Sequence, residues 1–504
     1  MDRSFLTFET VSYRYPGSPE PVLDGLSFSI GPGWTAVVGA NGCGKTTLLR
    51  LACGLMQPDE GKVHASGRAF YCMQRTDRPP GGFEEFVRAW MYPAIMDRLG
   101  VEWDWPVRWE TLSHGERKRA QLAMALAASP DILAVDEPVN HLDSSARALV
   151  REALMEYRGT GLLVSHDRDL IDSLASRCGL LDAGGMTLRK GGYSVAGRED
   201  GREQSSLRDG REKAREKYLR MKRDARRKQL TARTLQARSC GRRVTYRDIC
   251  LSGIDGPSRI DGSVQKAGQL SRTALARMER ARDEMESIRF RKEYENGISI
   301  PGERSGRNVL IDLPGGILRL GSLRLDHPRL CLTPDHRVAL TGPNGSGKST
   351  LIGKLLECAE LPGGRLLLIP QELTGEESAE VLHRARRLGS DELGCVMSCV
   401  RRLGTDPGPL LDSRMPSPGE TRKLMLCLGL LKRPWLVIMD EPTNHLDLPG
   451  IECLEEALCG LESALLLVSH DRRFLERTTA EEWRVAPDDG HMSLSIFHAW
   501  GSCK

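Results

Sequence analysis

Aromatic residues make up only 5% of this 504-residue chain, and it has no long apolar runs. Stretches such as Leu424–Leu431 fall far short of the ~20 residues that cross a bilayer, so no membrane span is expected. The opening Met1-Asp-Arg-Ser-Phe-Leu-Thr-Phe-Glu9 holds neither an apolar stretch nor a small-residue cleavage site, and no secretory signal is expected there. The fourteen cysteines form no Cys-x-x-Cys pair. Cys395 and Cys399 lie closest, without a His-rich partner segment, which favours reduced thiols in a cytoplasmic protein over zinc or disulfides. Net charge is also small, +4 over the whole chain, but it is unevenly placed. Residues 201–300 carry 26 Lys and Arg against 14 Asp and Glu, a net +12, so the flanks together sum to −8. A basic bridge joins two mildly acidic halves. Charge of one sign at this density marks a solvated helix face or a nucleic-acid partner.

At this length the chain holds two or three domains, each able to bury a core. In the first half, the short apolar strand Gly33–Val38 feeds into Gly39-Ala-Asn-Gly-Cys-Gly-Lys-Thr46, with Thr47-Leu-Leu-Arg-Leu-Ala-Cys reading as the following helix. Glycines there let backbone N–H groups curl around phosphate oxygens at a helix N-terminus. Lys45 supplies a point charge for the β and γ phosphates and Thr46 a hydroxyl for Mg²⁺. Further on come Gln74, Leu112-Ser-His-Gly-Glu116 and the apolar strand Ile132-Leu-Ala-Val-Asp-Glu137. Asp136 is placed to support Mg²⁺ through its water shell, and Glu137 to polarise a water for in-line attack on the γ-phosphate. Asn140-His-Leu-Asp143 follows, and His166 sits after the strand Gly161–Val164, where ligand-facing residues fall.

The second half repeats the set: Gly342-Pro-Asn-Gly-Ser-Gly-Lys-Ser349, Gln371, Ser417-Pro-Gly-Glu420, Val437-Ile-Met-Asp-Glu441, Asn444-His-Leu-Asp447 and Ser469-His-Asp471. The two lysines lie 303 residues apart, and the serines, glutamates and histidines 304 apart. A repeat this regular is the duplication of a whole domain.

These motifs resemble the ATP-binding cassette ATPases, and two cassettes around a long charged linker are similar to the F subfamily (ABC-F). The resemblance implies an α/β fold of two tandem P-loop cassettes, residues 1–197 and 305–504, joined by an α-helical hairpin linker over 198–304. It implies ATP hydrolysis with ATP and Mg²⁺ as cofactors. Two ATP molecules are sandwiched between the cassettes of one monomer, each phosphate loop facing the signature Ser-x-Gly-Glu of the other. Lys45 thus works with Ser417 and Gly419, and Lys348 with Ser113 and Gly115. On the same ground Gly39, Asn41, Gly42, Gly44, Thr46 and Thr47 hold one nucleotide, and Gly342, Asn344, Gly345, Gly347, Ser349 and Thr350 the other. Tyr15 matches the aromatic that stacks on adenine, whereas Leu323-Arg-Leu-Asp-His-Pro328 has no aromatic in that place. Glu137, Glu441, His166 and His470 are the implied catalytic residues. Thr46, Gln74, Asp136, Ser349, Gln371 and Asp440 are the implied metal-side ones. The signatures depart from Leu-Ser-Gly-Gly-Glu at His114 and at Pro416 and Pro418. Proline fits a first helical turn but brings no N–H, so the Lys45/Ser417 site is expected to be the weaker one.

Between the halves, Leu207, Ala214, Tyr218, Met221 and Ala225, and again Leu275, Met278, Ala281, Met285 and Ile288, recur at sevens, fours and threes. Two such helices pair as a hairpin, with a tip near Ser239–Gly268. Positive charge beyond what the helix's own acids neutralise favours RNA phosphate. In the family such a linker enters the 70S ribosome beside the peptidyl-transferase centre and contacts rRNA and P-site tRNA, while the cassettes occupy the tRNA exit site. Some members are housekeeping translation factors and others protect ribosomes from antibiotics. The short interior spacings and the long tip lean toward protection. A fused-cassette transporter ATPase with a membrane partner, or a DNA-associated ATPase using the coil as an arm, are the rival readings. The aromatic cluster Phe83, Phe86, Trp90, Tyr92, Trp103, Trp105 and Trp109 is expected to form the core of a small subdomain.

Overall fold

Continuous apolar strands without polar alternation, such as Ile132–Asp136 and Thr160–Val164, require cover on both faces, and each becomes part of a parallel sheet between helices. The computed structural model describes residues 4–89, 92–140, 142–182, 185–240, 256–287, 302–320, 323–405, 407–413, 416–444, 446–488 and 491–498. The expectations on Trp90, His141, His445, Ile288, the linker tip at 241–255 and the stretch 288–301 lie outside the described residues.

In the first cassette, β1 (Leu6–Tyr13), β2 (Leu23–Ile30) and β4 (Glu60–Ala65) form an antiparallel sheet. The main sheet runs β5 (Ala69–Cys72), β6 (Ile132–Asp136), β7 (Thr160–Val164), β3 (Gly33–Val38), β8 (Ala175–Asp182) and β9 (Gly185–Lys190), parallel except for β9. Helices α1 (Lys45–Ala52), α2 (Phe83–Arg88), α3 (Pro93–Leu99), α4 (His114–Ala127), α5 (Ser144–Met155) and α6 (Arg168–Leu174) complete it. Phe83, Trp105 and Trp109 pack into the core as expected, but Trp103 and Tyr92 are exposed. The cluster is therefore only partly a core.

Helix α7 (Tyr193–Cys240) spans 48 residues, about 70 Å at 1.5 Å per residue, and α8 (Gly256–Ser287) follows the tip. Residues 197–293 form a compact unit by themselves. Ala214, Ala225, Ala274 and Ala281 are buried in it, and Lys217 Nζ reaches Glu284 Oε2 at 2.6 Å. Of the periodic positions, Ala214, Ala225 and Ala281 are buried, and Leu207, Tyr218, Met221, Leu275, Met278 and Met285 are half-buried. Small residues on the buried faces let two charged helices approach closely.

The second cassette repeats the core with one change. Its sheet holds eight strands in the order β11 (Gly316–Leu320), β12 (Leu323–His327), β19 (His491–Phe497), β18 (Glu481–Asp488), β14 (Arg337–Thr341), β17 (Ala464–Val468), β16 (Leu436–Asp440) and β15 (Leu366–Ile369). β10 (Ile311–Leu313) pairs separately with β13 (Leu330–Leu332). The eight residues 358–365 between α9 (Lys348–Glu357) and β15 are too few for a counterpart of β4. The β11–β12 hairpin joins the main sheet through β19 instead. Helices α10 (Gly375–Arg386), α11 (Ser390–Arg402), α12 (Pro407–Asp412), α13 (Pro418–Leu430), α14 (Leu448–Cys459) and α15 (Arg472–Thr478) cover it. One apolar cluster runs through both cassettes, from Leu133, Val135 and Leu163 to Val437, Leu465 and Leu467. The two cassettes therefore share a core. The described cysteines are all free thiols.

Candidate nucleotide sites

Each phosphate loop enters its helix through a glycine in the left-handed region, Gly44 (φ 101°) before α1 and Gly347 (φ 94°) before α9. Residues with a Cβ are strained there. Lys45 Nζ donates to the carbonyls of Gly39 and Ala40 at 2.8 and 3.0 Å, and Lys348 Nζ to those of Gly342 and Pro343 at 2.9 and 2.7 Å. Both ammoniums thus lie over the loop that bears them. Thr46 Oγ1 donates to Asp136 Oδ2 at 2.8 Å, and Ser349 Oγ to Asp440 Oδ2 at 3.3 Å. A hydroxyl beside a carboxylate, with Gln74 or Gln371 on an exposed neighbouring turn, is a set of hard oxygen donors that fits Mg²⁺. The Tyr15 hydroxyl bonds Thr47 Oγ1 at 2.9 Å, which fixes the tyrosine ring beside the start of α1.

The strands β6 and β16 are each followed directly by a glutamate that also takes left-handed backbone, φ 48° at Glu137 and 49° at Glu441. Strain of this kind in a non-glycine residue persists only where its surroundings impose it. Here the Glu137 N–H donates to Val164 O at 2.9 Å and the Glu441 N–H to Val468 O at 2.8 Å. Glu137 faces His166, with Oε1 3.2 Å from Nε2, and Glu441 faces His470 at 3.6 Å. Burial, reinforced by Asp136, pushes the Glu137 carboxyl up to about 8, and burial pushes Glu441 up to about 7. Burial, with Lys45 and Lys423 for His166 and with Arg147 and Lys348 for His470, drives both imidazoles down to about 3. The contacts therefore join neutral imidazoles to carboxyls of high proton affinity rather than forming ion pairs. His470 also reaches Asn344 Oδ1 at 3.1 Å.

Ser113 and Ser417 cap α4 and α13 with the same reciprocal box. In each, the serine N–H and hydroxyl bond the glutamate three residues on at 2.7–2.8 Å, and that glutamate's N–H returns to the serine at 3.3 Å. Pro418 sits at the first helical position and leaves the cap intact. His114, in the place of a glycine, lies 3.3 Å from Thr76 Oγ1.

A cavity of about 1090 Å³ brings Ser113 and Gly115 opposite Asn344, Gly345, Gly347, Lys348, Ser349 and Thr350, with Gln371, Asp440, Glu441 and His470 on its wall. At the other site the Asn41 N–H donates to Asp447 Oδ2 at 3.0 Å across the cassettes. Asp143 mirrors it on the Asn344 N–H at 3.4 Å. Each aspartate caps its own helix with one oxygen and meets the opposite phosphate loop with the other. Gly419 lines a separate small recess beside Arg422.

Asp143 and Asp447 are site residues that the sequence motifs do not single out, although each follows Asn-His-Leu. Two buried cations join them, Lys118 and Arg422. Lys118 Nζ donates to Met73 O at 2.5 Å and Asp136 O at 3.0 Å, and Arg422 Nη2 to Asp440 O at 2.6 Å and Glu441 O at 3.0 Å. Lys and Arg at these positions read as solvated helix charge until burial is known. Among the described residues no helix is long and apolar enough to cross a membrane.

The family model described as ABC transporter matches residues 23–140 and 325–402. The chain is 29% identical over 496 residues to the ribosome protection protein VmlR of Bacillus subtilis (strain 168), covering 95% of this chain and 86% of VmlR. It is 28% identical over 558 residues to the tylosin resistance ATP-binding protein TlrC of Streptomyces fradiae, covering 94% and 96%. It is 28% identical over 542 residues to the probable ATP-binding protein YheS of Escherichia coli (strain K12), covering 95% and 79%. Among solved structures, archaeal ribosome recycling factor aABCE1 in complex with ribosomal stalk protein aP1 matches with a TM-score of 0.60 at 17% identity, covering 96% of this chain and 89% of that one. That last likeness is one of fold.

Proposed function

We propose that the chain is an ATP-binding cassette ATPase of the F subfamily, that it binds the ribosomal tRNA exit site in its ATP-bound form and that it acts on translation near the peptidyl-transferase centre, protecting the ribosome from antibiotics bound there. It hydrolyses ATP to ADP and phosphate. The observation that carries the ribosomal reading is the net +12 of residues 201–300, set between two cassettes that together sum to −8. A helical hairpin with that surplus suits rRNA and tRNA phosphate. The names of VmlR and TlrC support the protective role. The division into a first cassette (1–197), linker (198–304) and second cassette (305–504) is part of the same proposal.

In this reading Lys45 and Lys348 hold the β and γ phosphates, helped by loop N–H groups of Gly42, Gly44, Gly345 and Gly347. Tyr15 stacks on one adenine. Thr46, Gln74 and Asp136, and Ser349, Gln371 and Asp440, hold the magnesium side. Bound Mg²⁺ would neutralise charge shared by the β and γ phosphates. Glu137 and Glu441 take a proton from the attacking water, and a carboxylate whose proton affinity lies near operating pH is suited to that task. His166 and His470, held neutral, orient that carboxylate. Ser113 and Ser417, at helix N-termini, present N–H groups to the γ-phosphate across the cassette interface.

The test uses Glu137→Gln/Glu441→Gln, which binds ATP without turning it over. With ATP it is expected to co-sediment with 70S ribosomes, RNase abolishing the association, and to do so less without ATP. Recovery with membranes or DNA overturns the reading. In a translation reaction stalled by a drug of the peptidyl-transferase region, wild-type protein is expected to restore synthesis; a housekeeping factor leaves the stall in place.

A further inference from the structure

Lys118 and Arg422 lie 304 residues apart, each five residues past its signature serine, and both are buried. Lys118 hangs from α4, whose cap Ser113 lines the cavity holding Lys348. Its ammonium does not face that cavity's chemistry. It grips Asp136 O, at the strand end that carries Glu137 and meets Thr46 of the Lys45 loop. It also grips Met73 O, next to Gln74. Arg422 repeats the arrangement in the other direction. It hangs from α13, whose cap is Ser417, and holds the carbonyls of Asp440 and Glu441, which belong to the Lys348 site.

We propose that Lys118 and Arg422 are positioning residues that couple the two nucleotide sites: each ties the signature helix serving one site to the strand-end backbone that aims the carboxylates of the other. Burying a cation costs several kcal/mol of desolvation, and an apolar side chain would pack at lower cost. The apolar side chain would take from two backbone carbonyls the charged donor they now have. A movement of Ser113 on ATP engagement at Lys348 thus reaches Asp136 and Glu137 through one side chain. The two couplers differ. Lys118 bridges strand end and glutamine turn, whereas Arg422 holds two consecutive carbonyls, with Nε and Nη1 buried and unpartnered among the described residues.

The inference rests on Glu137 and Glu441 being the hydrolytic carboxylates, and the design separates the two. If Glu137→Gln/Glu441→Gln still hydrolyses ATP, that assignment fails whatever Lys118 does. With the assignment standing, Lys118→Met is placed in full-length Glu441→Gln, which reports on the Lys45 site, and in Glu137→Gln, which reports on the Lys348 site. In the first background kcat is expected to fall about tenfold or more with KM nearly unchanged; in the second KM for ATP is expected to rise with kcat nearly kept. Arg422→Met gives the mirror image. Lys118→Arg, keeping a donor for both carbonyls, is expected to recover most of the loss. An effect confined to one background, or equal kcat losses in both that Lys118→Arg fails to recover, overturns the coupling and leaves a packing role.

Discussion

Glu137 and Glu441 stand at the ends of apolar strands in left-handed backbone, and their buried carboxyls hold protons to about pH 8 and about pH 7. In the unfolded chain they ionise near 4.5. Folding therefore becomes less favourable as pH rises from about 4.5 toward 8, because the unfolded state releases protons that the folded state keeps. Without nucleotide, Glu137→Gln/Glu441→Gln is expected to be more stable than wild type by about 1–3 kcal/mol at pH 8, and no more stable near pH 4.5. Denaturant unfolding at several pH values measures this. A gain independent of pH would count against raised carboxyls. The motif around each glutamate is plain in the sequence, but its proton affinity is not, because it follows from burial at a strand end beside a second carboxylate, Asp136 or Asp440.

At the scale of elements, the two signature helices begin with the same serine–glutamate box, so proline at the first position of α13 does no damage to the cap. What it removes is one N–H donor at the helix end that, in the proposed pairing, serves the Lys45 loop. The expectation of unequal sites rests on that one donor. Single-turnover hydrolysis is expected to be slower in Glu441→Gln, which keeps the Lys45/Ser417 site, than in Glu137→Gln, and Pro418→Ala is expected to speed the former severalfold. Equal rates in the two parents would end the argument. The linker helices were readable from their sevens-and-fours pattern, because a seam repeats along a helix. The exposure of Trp103 was not, since a short irregular segment has no period to betray which ring faces out.

At the scale of the whole chain, the cassettes are held together by contacts that are not the same in both directions. Arg168, buried on α6, pairs with Glu455 on α14 and reaches Asp471 Oδ2 at 3.4 Å. Arg477 Nη1 meets the other oxygen of Glu455 at 2.6 Å. The repeat-equivalents of Arg168 and Glu455 are Arg472 and Arg151, two like charges, and Arg472 pairs instead with Glu476 of its own helix at 2.8 Å. On the pseudo-axis, the repeat-equivalents Asp169 and Arg473 meet each other at 2.5 Å. Arg473 also bonds Asp172 and Ser194 at 2.8 Å, and Tyr193 bonds Glu452 at 3.0 Å, so the first turn of α7 is held by both cassettes. Arg168→Met is expected to destabilise the protein by about 2–3 kcal/mol, below a buried pair broken outright because Arg477 still serves Glu455. Arg168→Met with Glu455→Leu is expected to recover much of this in thermal or denaturant unfolding.

Two cassettes, their phosphate loops, their carboxylate strands and the basic helical bridge follow from the sequence alone. Each is a local pattern: a spacing of glycines, an apolar run, a charge count, a repeat of 303–304 residues. Which residues meet across that repeat belongs to the tertiary structure. That Asp447 reaches Asn41, that Arg168 finds Glu455, and that Lys118 turns inward to two carbonyls are facts about chain segments tens to hundreds of residues apart. Charged side chains look alike in sequence whether solvated or buried, and only the packing around them decides whether a lysine is a surface charge or the strut of an active site.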